Sequence, residues 1–293
     1  MIDYKLLEAF AIVVQEGGFD RAATRLNLTQ SAVSQRVKLL EERTGKILLS
    51  RSTPPQPTAA GRQLIKHYLQ VKLLEDGLEQ VLAESDRPAR LPLGINADSL
   101  ASWFLPAIGS LLHDGQVLID LHVDDQEQTH KLLKEGIVAG CISDKSAPMQ
   151  GCRVAYLGAM TYRLLASPDF MTRWFADGLT AAAVKQAPLV VFNRKDMLQH
   201  RVLEKTLGSE VFPEAIHYVP APEQFTQMIL AGHAYGMVPD WQSEASRNTG
   251  QLIEVHPQAQ DSVALYWHYW NLASTRLQAL SELLVEQAGT LLA

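Results

Sequence analysis

The sequence predicts an α/β protein with an α-helical head at its N-terminus. Three observations support this prediction: helical spacing of apolar residues up to residue 44, a long helical pattern after residue 58, and alternating strands and helices from residue 91. A length of 293 residues also suggests roughly two or three units. We therefore expect a head at 1–58, a connecting helix at 59–90 and an α/β unit at 91–293.

The composition argues against several classes of protein. With 47% hydrophobic and 20% charged residues, the chain resembles an ordinary globular protein rather than a disordered one. No apolar run approaches the roughly 18 residues of a membrane-spanning helix, so no membrane partner is expected. The first residues lack a signal-peptide pattern, and we expect a cytoplasmic protein. Cys141 and Cys152 form no CxxC pair, which favours reduced structural thiols over a disulfide or a metal site.

The net charge of −6 is distributed unevenly along the chain. Residues 1–58 contain eight basic and six acidic residues, residues 59–90 contain five of each, and residues 91–293 contain thirteen and twenty-one. An acidic body repels phosphate but suits a cationic ligand, whereas the head is mildly basic. The asymmetry is compatible with a head that binds nucleic acid, although alone it identifies no function.

Three helices are predicted in the head, and local sequence signals indicate where they start or end. Apolar spacing predicts the first from Tyr4, and Gly17-Gly18 ends it. A second, short helix covers 19–26. After a turn, Thr29 is a good N-cap for a third helix at 30–44, which ends before a glycine.

The third predicted helix has two different faces. Val33, Val37 and Leu40 form an apolar stripe. The opposite face carries short or amide-bearing polar side chains, which can pair with base edges, as glutamine does with adenine. A helix, a tight turn and a polar-faced helix are typical of a helix-turn-helix in the major groove, the alternative being an ordinary amphipathic surface helix.

A wing is predicted after the third helix. Lys46–Arg51 is expected to form a strand, and the proline-rich segment 52–57 a turn. Arg51 would follow phosphates or enter the minor groove, the alternative being a solvated arginine. The residues that we predict to contact DNA are Thr29, Gln30, Ser31, Ser34, Gln35, Arg36, Lys38 and Arg51.

The head matches a known pattern over about 60 residues. It reads Ala22-Ala23-x-x-Leu26-x-x-Thr29-Gln30-Ser31-Ala32-Val33-Ser34-Gln35-Arg36-Val37-Lys38-x-Leu40-Glu41, followed by Gly45, Leu48-Leu49, Arg51 and Pro57-Thr58-x-x-Gly61. This segment resembles the head of LysR-type transcriptional regulators. The resemblance implies double-stranded promoter or operator DNA as a partner and leaves RNA polymerase open as a further one.

The connecting segment predicts one helix from Thr58 to about Glu84, which would span roughly 40 Å. Its apolar seam consists of Leu64, Tyr68, Val71, Leu74, Leu78 and Val81. Such a seam needs cover, either from a second subunit or from the chain's own C-terminal unit. Pairing of two subunits would place two heads on two half-sites, and the resemblance favours a homodimer or homotetramer. Residues 85–90 are expected to form a linker.

The C-terminal unit predicts largely parallel sheets. The expected strands are 91–95, 117–123, 137–142, 162–166, 188–192, 216–219, 235–238 and 263–270, with a helix from Ser274 to the end. The resemblance implies a periplasmic-binding-protein-like domain of two Rossmann-like lobes, lobe I at 91–160 and 267–293 and lobe II at 161–266.

Ligands in such sheets bind at the carboxyl ends of strands. This rule selects Asn96, Asp98, Ser99, Asp124, Ser143 and Asp144. Backbone N–H groups near Ser99 would hold a carboxylate and the aspartates a cation, which suits an amino acid. Structural alternatives stay open, because Asp98 and Ser99 can cap a helix and Asp124 and Asp144 can be solvated.

Three further segments narrow the resemblance. They are 96–106, Val138-x-Gly140-x-x-Ser143 and Leu265-Tyr266-Trp267-His268, and they resemble the arginine/lysine-responsive branch of the LysR-type family. This branch implies L-lysine or L-arginine as effector, no cofactor, and activation of genes for basic amino-acid export or metabolism. The segment 193–196 is more basic than expected beside a cationic ligand, and the effector assignment would weaken if Arg194 and Lys195 faced the cleft.

Other functions are weighed against this one. An enzyme is disfavoured because GxSxG, HExxH, GxxxxGK[ST] and a strand-linked GxGxxG are all missing from the sequence, and we predict no catalytic or metal-binding residue. A regulator with a different effector is one alternative. A nucleoid or replication-control protein with little base preference is another, and its DNA binding would collapse with salt.

Overall fold

The computed structural model describes residues 2–50, 52–81, 88–123 and 126–292. Two predicted site residues, Arg51 and Asp124, and most of the predicted linker lie outside these ranges. The described chain has an α-helical head, one long helix and an α/β domain, as predicted. Within the described ranges, every helix is too short or too polar to span a bilayer.

The head consists of α1 (Tyr4–Gln15), α2 (Phe19–Leu26) and α3 (Gln30–Thr44). Local end signals explain these bounds. The Thr29 hydroxyl accepts a hydrogen bond from the N–H of Ala32 at 3.2 Å and caps α3, while Gly45 ends it with a φ of 64°. Phe10 and Leu40 meet in the apolar core that holds the three helices together.

The wing after α3 is shorter than predicted. Instead of a strand over Lys46–Arg51, the described residues form one isolated bridge between Leu49 and Pro57. Two backbone bonds flank it, from Ser50 N–H to the Gln56 carbonyl and from Thr58 N–H to the Leu48 carbonyl. Prolines have no N–H, so the proline-rich return segment cannot extend the ladder.

The connecting helix, α4, covers Ala59–Val81, and its apolar residues contact both the head and the α/β domain. Tyr68 packs against the head, whereas Leu73 is buried in the core of the α/β domain. Leu74 and Leu78 remain 39% and 58% exposed. The head therefore covers the start of the predicted seam, the α/β domain contacts α4 through Leu73, which lies outside that seam, and Leu74 and Leu78 are uncovered in this single chain.

The α/β domain contains the following described elements. These are β1 (Ala89–Ile95), α5 (Ala97–Leu100), α6 (Phe104–Ala107), α7 (Gly109–His113), β2 (Val117–Val123), α8 (Gln126–Glu135), β3 (Gly140–Ser143), β4 (Cys152–Ala166), α9 (Pro168–Trp174), α10 (Ala181–Gln186), β5 (Leu189–Val191), α11 (Leu198–Leu207), β6 (Ile216–Tyr218), α12 (Pro222–Leu230), β7 (Gly236–Pro239), α13 (Asp240–Asn248), β8 (Ile253–Glu254), β9 (Gln260–Trp270) and α14 (Thr275–Leu291).

Two long strands run through the whole domain. The main sheet has the order β2-β1-β3-β9-β4-β7, with β8 also on β4, and β5 and β6 pair in a separate parallel sheet. We call β1–β3, α5–α8 and α14 lobe I, and α9–α13 with β5–β8 lobe II. Antiparallel β4 and β9 connect the lobes, since β9 pairs with β3 at one end and β4 pairs with β7 at the other.

The length of β4 was not predicted, because only its second part, 162–166, was expected to be a strand. The observed strand begins at Cys152 and continues past an irregularity between Tyr156 and Gly158, where the pairing register with β9 shifts. A glycine inside a strand is typical of such a bulge and interrupts the alternating pattern on which strand prediction depends. The boundaries proposed above for the three units stay predictions.

Buried tryptophans of β9 anchor lobe I. Trp267 and Trp270 are almost completely buried, and the Trp267 indole N–H donates to the Ser281 hydroxyl of α14 at 2.8 Å. Gly140 of β3 lies against the Trp267 ring, because a Cβ at this position would stand 2.4 Å from two ring carbons. The sheet can therefore accept this indole only where the neighbouring strand has no side chain.

We expect Gly140→Ala to destabilise the protein by about 1–3 kcal/mol, because the added methyl overlaps the Trp267 ring in a close-packed core. The control is Gly109→Ala, whose Cβ would meet no atom within 4 Å and which should change stability by less than about 1 kcal/mol. Urea unfolding followed by tryptophan fluorescence measures both. Equal midpoints for the two variants would contradict the packing argument.

Candidate functional site

The exposed face of α3 carries the predicted DNA-contacting residues. Thr29, Gln30, Ser31, Ser34, Gln35 and Lys38 are exposed, and Arg36 is partly exposed. On the opposite face Val33, Val37 and Leu40 are buried in the head. The side chains of Gln30, Ser34 and Gln35 make no hydrogen bond to another described residue. Their amide and hydroxyl groups are therefore available to an external partner.

Two pairs on this face involve predicted contact residues. The hydroxyls of Thr29 and Ser31 lie 3.1 Å apart, and the Lys38 ammonium lies 3.8 Å from the Glu42 carboxylate. Because the second pair is highly exposed, it holds Lys38 only weakly. The role of Arg51 stays a prediction, since this residue lies outside the described ranges.

Glu41 joins α3 to the wing. Its carboxylate accepts hydrogen bonds from the backbone N–H groups of Leu48 at 2.7 Å and Leu49 at 3.4 Å. These bonds fix the start of the wing relative to the exposed face of α3. This role of Glu41 was not predicted, because a glutamate on a helix also fits a solvated surface.

A second candidate site is a cavity of about 300 Å³ between lobe I and lobe II. Lobe I contributes the ends of β1 and β3, and lobe II contributes the start of α11 and parts of α12, α13 and β7. We call this cavity the cleft. Its polar lining residues are Asn96, Asp98, Asp144, Tyr162, Lys195, Asp196, Gln199, Arg201 and Gln242.

Asp98 is the most perturbed acid of the cleft. The Tyr162 hydroxyl donates a hydrogen bond to its Oδ2 at 2.8 Å. Burial raises the pKa of Asp98 to about 6, although the Tyr162 bond lowers it, and the nearby Asp196 carboxylate acts in the raising direction. Burial and the Asp98 charge raise the pKa of Tyr162 well above its ordinary value, so the phenol remains a donor.

Two further polar groups lie close to Asp98 along the cleft. The Asn96 side chain is buried, and its Oδ1 has no hydrogen-bond partner among the described residues. On the other lobe, Asp196 accepts bonds from the N–H groups of Leu198 at 2.9 Å and Phe192 at 3.4 Å. The buried Gln199 amide can add two more bonds to Asp196, at 3.1 and 3.2 Å, when its nitrogen faces this carboxylate.

The predicted ligand residues do not all reach the cleft. Asn96, Asp98 and Asp144 line it. Ser99 and Ser143 are fully buried and are not part of the lining, and the Ser143 hydroxyl accepts a bond from the Lys145 N–H. Asp124 lies outside the described ranges. The contributions of Tyr162 on β4 and Asp196 of lobe II were not predicted, and their ligand roles are proposals like the others.

The two basic residues before α11 have different surroundings. Arg194 lies over the ring of Tyr218, 4.6 Å from its centroid, whereas Lys195 lines the cleft. Arg201 also lines it, 3.7 Å from the Asp261 carboxylate. Lys195 therefore places a positive charge in the cleft, which disfavours a purely cationic ligand. With three carboxylates and two cationic groups, the lining suits a ligand that carries both signs and excess positive charge.

Metal and thiol chemistry find no support in the described part of the chain. No group of three or more His, Cys, Asp or Glu residues there could hold a metal ion. Cys141 is buried and Cys152 partly buried, both unpaired, and burial raises the pKa of both thiols. Neither cysteine is therefore a reactive thiolate at neutral pH.

Comparisons with known proteins cover the whole chain. Residues 4–62 match the family "Bacterial regulatory helix-turn-helix protein, lysR family", and residues 85–289 match "LysR substrate binding domain". The HTH-type transcriptional regulator ArgP of Pseudomonas aeruginosa is 46% identical, over 99% of this chain and 97% of the relative. The crystal structure of ArgP from Mycobacterium tuberculosis has a TM-score of 0.86, with 36% identity and 99% of each chain covered. Full-length LysG from Corynebacterium glutamicum with bound effector Arg has a TM-score of 0.76, with 29% identity and 98% of each chain covered.

Removal of the link between α3 and the wing should weaken the head. Glu41→Ala leaves the Leu48 and Leu49 N–H groups without their acceptor, and we expect a loss of about 1–3 kcal/mol in the unfolding free energy. Glu42→Ala removes only an exposed pair with Lys38 and should cost less than about 0.5 kcal/mol. Urea denaturation followed by circular dichroism compares the two, and similar losses would refute the bridging role of Glu41.

Proposed function

Because this chain belongs to the LysR family of bacterial transcriptional regulators, a family of DNA-binding regulators rather than enzymes, we propose that a basic amino acid controls its binding to promoter DNA. In this proposal α3 reads the major groove, and L-arginine or L-lysine binds in the cleft. Genes for export or metabolism of basic amino acids are the proposed targets, activated by contact of the DNA-bound regulator with RNA polymerase.

One observation carries the effector assignment: Asp98, Asp144 and Asp196 face a small cavity between two lobes. Its volume of about 300 Å³ lies at the low end of the range for small-molecule sites, roughly 300–1,000 Å³. Charge-assisted hydrogen bonds to carboxylates are about twice as strong as neutral ones, so this lining favours cationic groups. The bound arginine of the LysG structure agrees with this choice for a relative of this chain.

The mixed charge of the cleft matches the two ends of an amino acid. In our proposal Lys195 and Arg201 stand near the α-carboxylate, while the aspartates hold the ammonium and side-chain cation. Phe225, Met237 and Val263 also line the cleft and would contact the methylene groups between these ends. A neutral effector is the alternative, and it would leave the excess negative charge of the lining without a partner.

The DNA contact is proposed for the exposed face of α3, with the wing beside it. Uncharged Gln30, Ser34 and Gln35 would read base edges, whereas Arg36 and Lys38 would add contacts to phosphates or guanine. The exposed Leu74 and Leu78 of α4 are proposed to pack against the same helix of a second subunit, which would bring two heads onto adjacent half-sites.

We expect the base-reading and charge-bearing residues of α3 to differ in their effects. Gln30→Ala or Ser34→Ala should relax the sequence preference at particular operator positions, each by about 1–3 kcal/mol, since a base-edge contact is lost. Lys38→Ala should weaken binding to all sequences. It should also reduce the slope of log binding constant against log salt concentration by about one. Selection from a randomised operator library and salt titrations measure these effects. Unchanged sequence preference in both polar variants would argue for a binder with little base specificity.

The effector assignment predicts discrimination by charge. In calorimetric titrations of the full chain at pH 8, we expect L-arginine or L-lysine to bind at least tenfold more tightly than L-citrulline, which keeps the shape of arginine without its side-chain charge. Asp98→Asn should weaken the binding of the basic amino acid about 10- to 100-fold. Asp120→Asn, on β2 and outside the cleft, should have no effect. Equal heats for basic and neutral amino acids would overturn the assignment.

A further inference from the structure

We propose that the cationic group of the effector binds Asp98 in exchange for one proton, and that Tyr162 is the positioning residue that sets the pH of this exchange. The inference rests on the proposed function, because it requires a cationic effector. The proton leaves the Asp98 carboxyl for solvent, and the cation takes its place beside the carboxylate, so charge is conserved at the site.

The geometry places Asp98 where a ligand in the cleft meets it. Asp98 follows β1 of lobe I and is only partly exposed, and among the described side chains the Tyr162 hydroxyl is its one hydrogen-bond donor. Beside it, Asn96 offers a buried Oδ1 without a partner in the described chain. A carboxylate with one donor and a neighbouring acceptor lacks the protons that an ammonium or guanidinium would supply.

Tyr162 is held rigidly on the other side of this bond. It is 3% exposed and belongs to β4, where its backbone is paired with Pro239 of β7 and Asp261 of β9. Its hydroxyl also lies 3.4 Å from the Met160 sulfur. Strands on both sides hold the backbone of Tyr162, so the position of its phenol is tied to β4. The bond between them therefore depends on the distance between β4 and the end of β1.

Charged groups of both signs line the cleft around Asp98. Asp196 faces it from the start of α11 and Asp144 from the end of β3, while Lys195 and Arg201 supply the positive charges of the lining. Asp124 and Asp125, which follow β2, are outside the described ranges. Burial raises the pKa of Asp98 to about 6, and the Tyr162 bond opposes this rise by favouring the ionised form.

The direction of the pH effect follows from these two contributions. Above about pH 6 Asp98 is ionised and the cation binds at full strength. Below that pH the carboxyl must first lose its proton, so the affinity falls up to tenfold for each pH unit. Tyr162→Phe keeps the ring but removes the hydrogen bond that lowers the Asp98 pKa. This variant should begin to lose affinity at a higher pH than the wild type.

The test is titration of the full chain with L-arginine between pH 5 and 8, in two buffers of different ionisation enthalpy. For the wild type we expect nearly one proton released per arginine at pH 5 and almost none at pH 8. Tyr162→Phe should shift the onset of proton release upward, and Asp98→Asn should bind more weakly with no release. Tyr156→Phe is the matched control, because Tyr156 lies on the same strand, is 57% exposed and is not part of the cleft lining.

The outcomes separate this inference from the proposed function. If the wild type binds no basic amino acid at pH 8, the basic-effector assignment itself fails. If it binds arginine but Tyr162→Phe keeps the wild-type pH profile, the inference is overturned and the assignment stands. If proton release persists in Asp98→Asn, the proton comes from another group, and this result would also overturn the inference. Circular dichroism at each pH verifies that all variants remain folded.

Discussion

The pairing of β4 with β9 is the constraint on which the rest of the domain depends. The two strands are paired from Cys152 opposite Trp270 to Arg163 opposite Gln260, and each lobe attaches to a different part of this ladder. The cleft lies where the ladder passes from one lobe to the other, and both strands contribute to it, through Tyr162 and Val263. A ligand in the cleft would therefore touch the same pair of strands that holds the two lobes together.

Sequence-based prediction was most accurate where the structure depends on residues that are close together in the chain. The bounds of α2 and α3 agree with the prediction. Those of α3 follow from the cap at Thr29 and the glycine at Gly45, which act within one turn of the chain. The strands of lobe I were also predicted closely, since each is a short apolar run between polar turns. The strand of the wing was predicted too long, because the prolines opposite it have no N–H to extend the ladder, and the first part of β4 was missed, because Gly158 interrupts the alternating pattern.

The cleft residues of lobe I were predicted from the sequence, whereas those of β4 and lobe II were not. The rule of strand ends selected Asn96, Asp98 and Asp144, which lie on one lobe, but it also selected Ser99 and Ser143, which point into packed surroundings. Tyr162 lies in the middle of a long strand, and Asp196 has the local pattern of a residue that caps a helix. Which residues of lobe II face lobe I depends on how the chain returns through β9, and no local pattern contains that information.

Contacts between α4 and the end of α8 join lobe I to the head. Gly136, just after α8, lies so close to Lys66 of α4 that a Cβ there would stand 2.2 Å from the lysine Cβ, and Glu135 lies 3.8 Å from Arg62. The Arg62 guanidinium also donates to the Pro57 carbonyl of the wing. Lobe I and the long helix are thus in direct contact close to the head. A shift of lobe I would therefore be passed to the wing through Arg62, which contacts both.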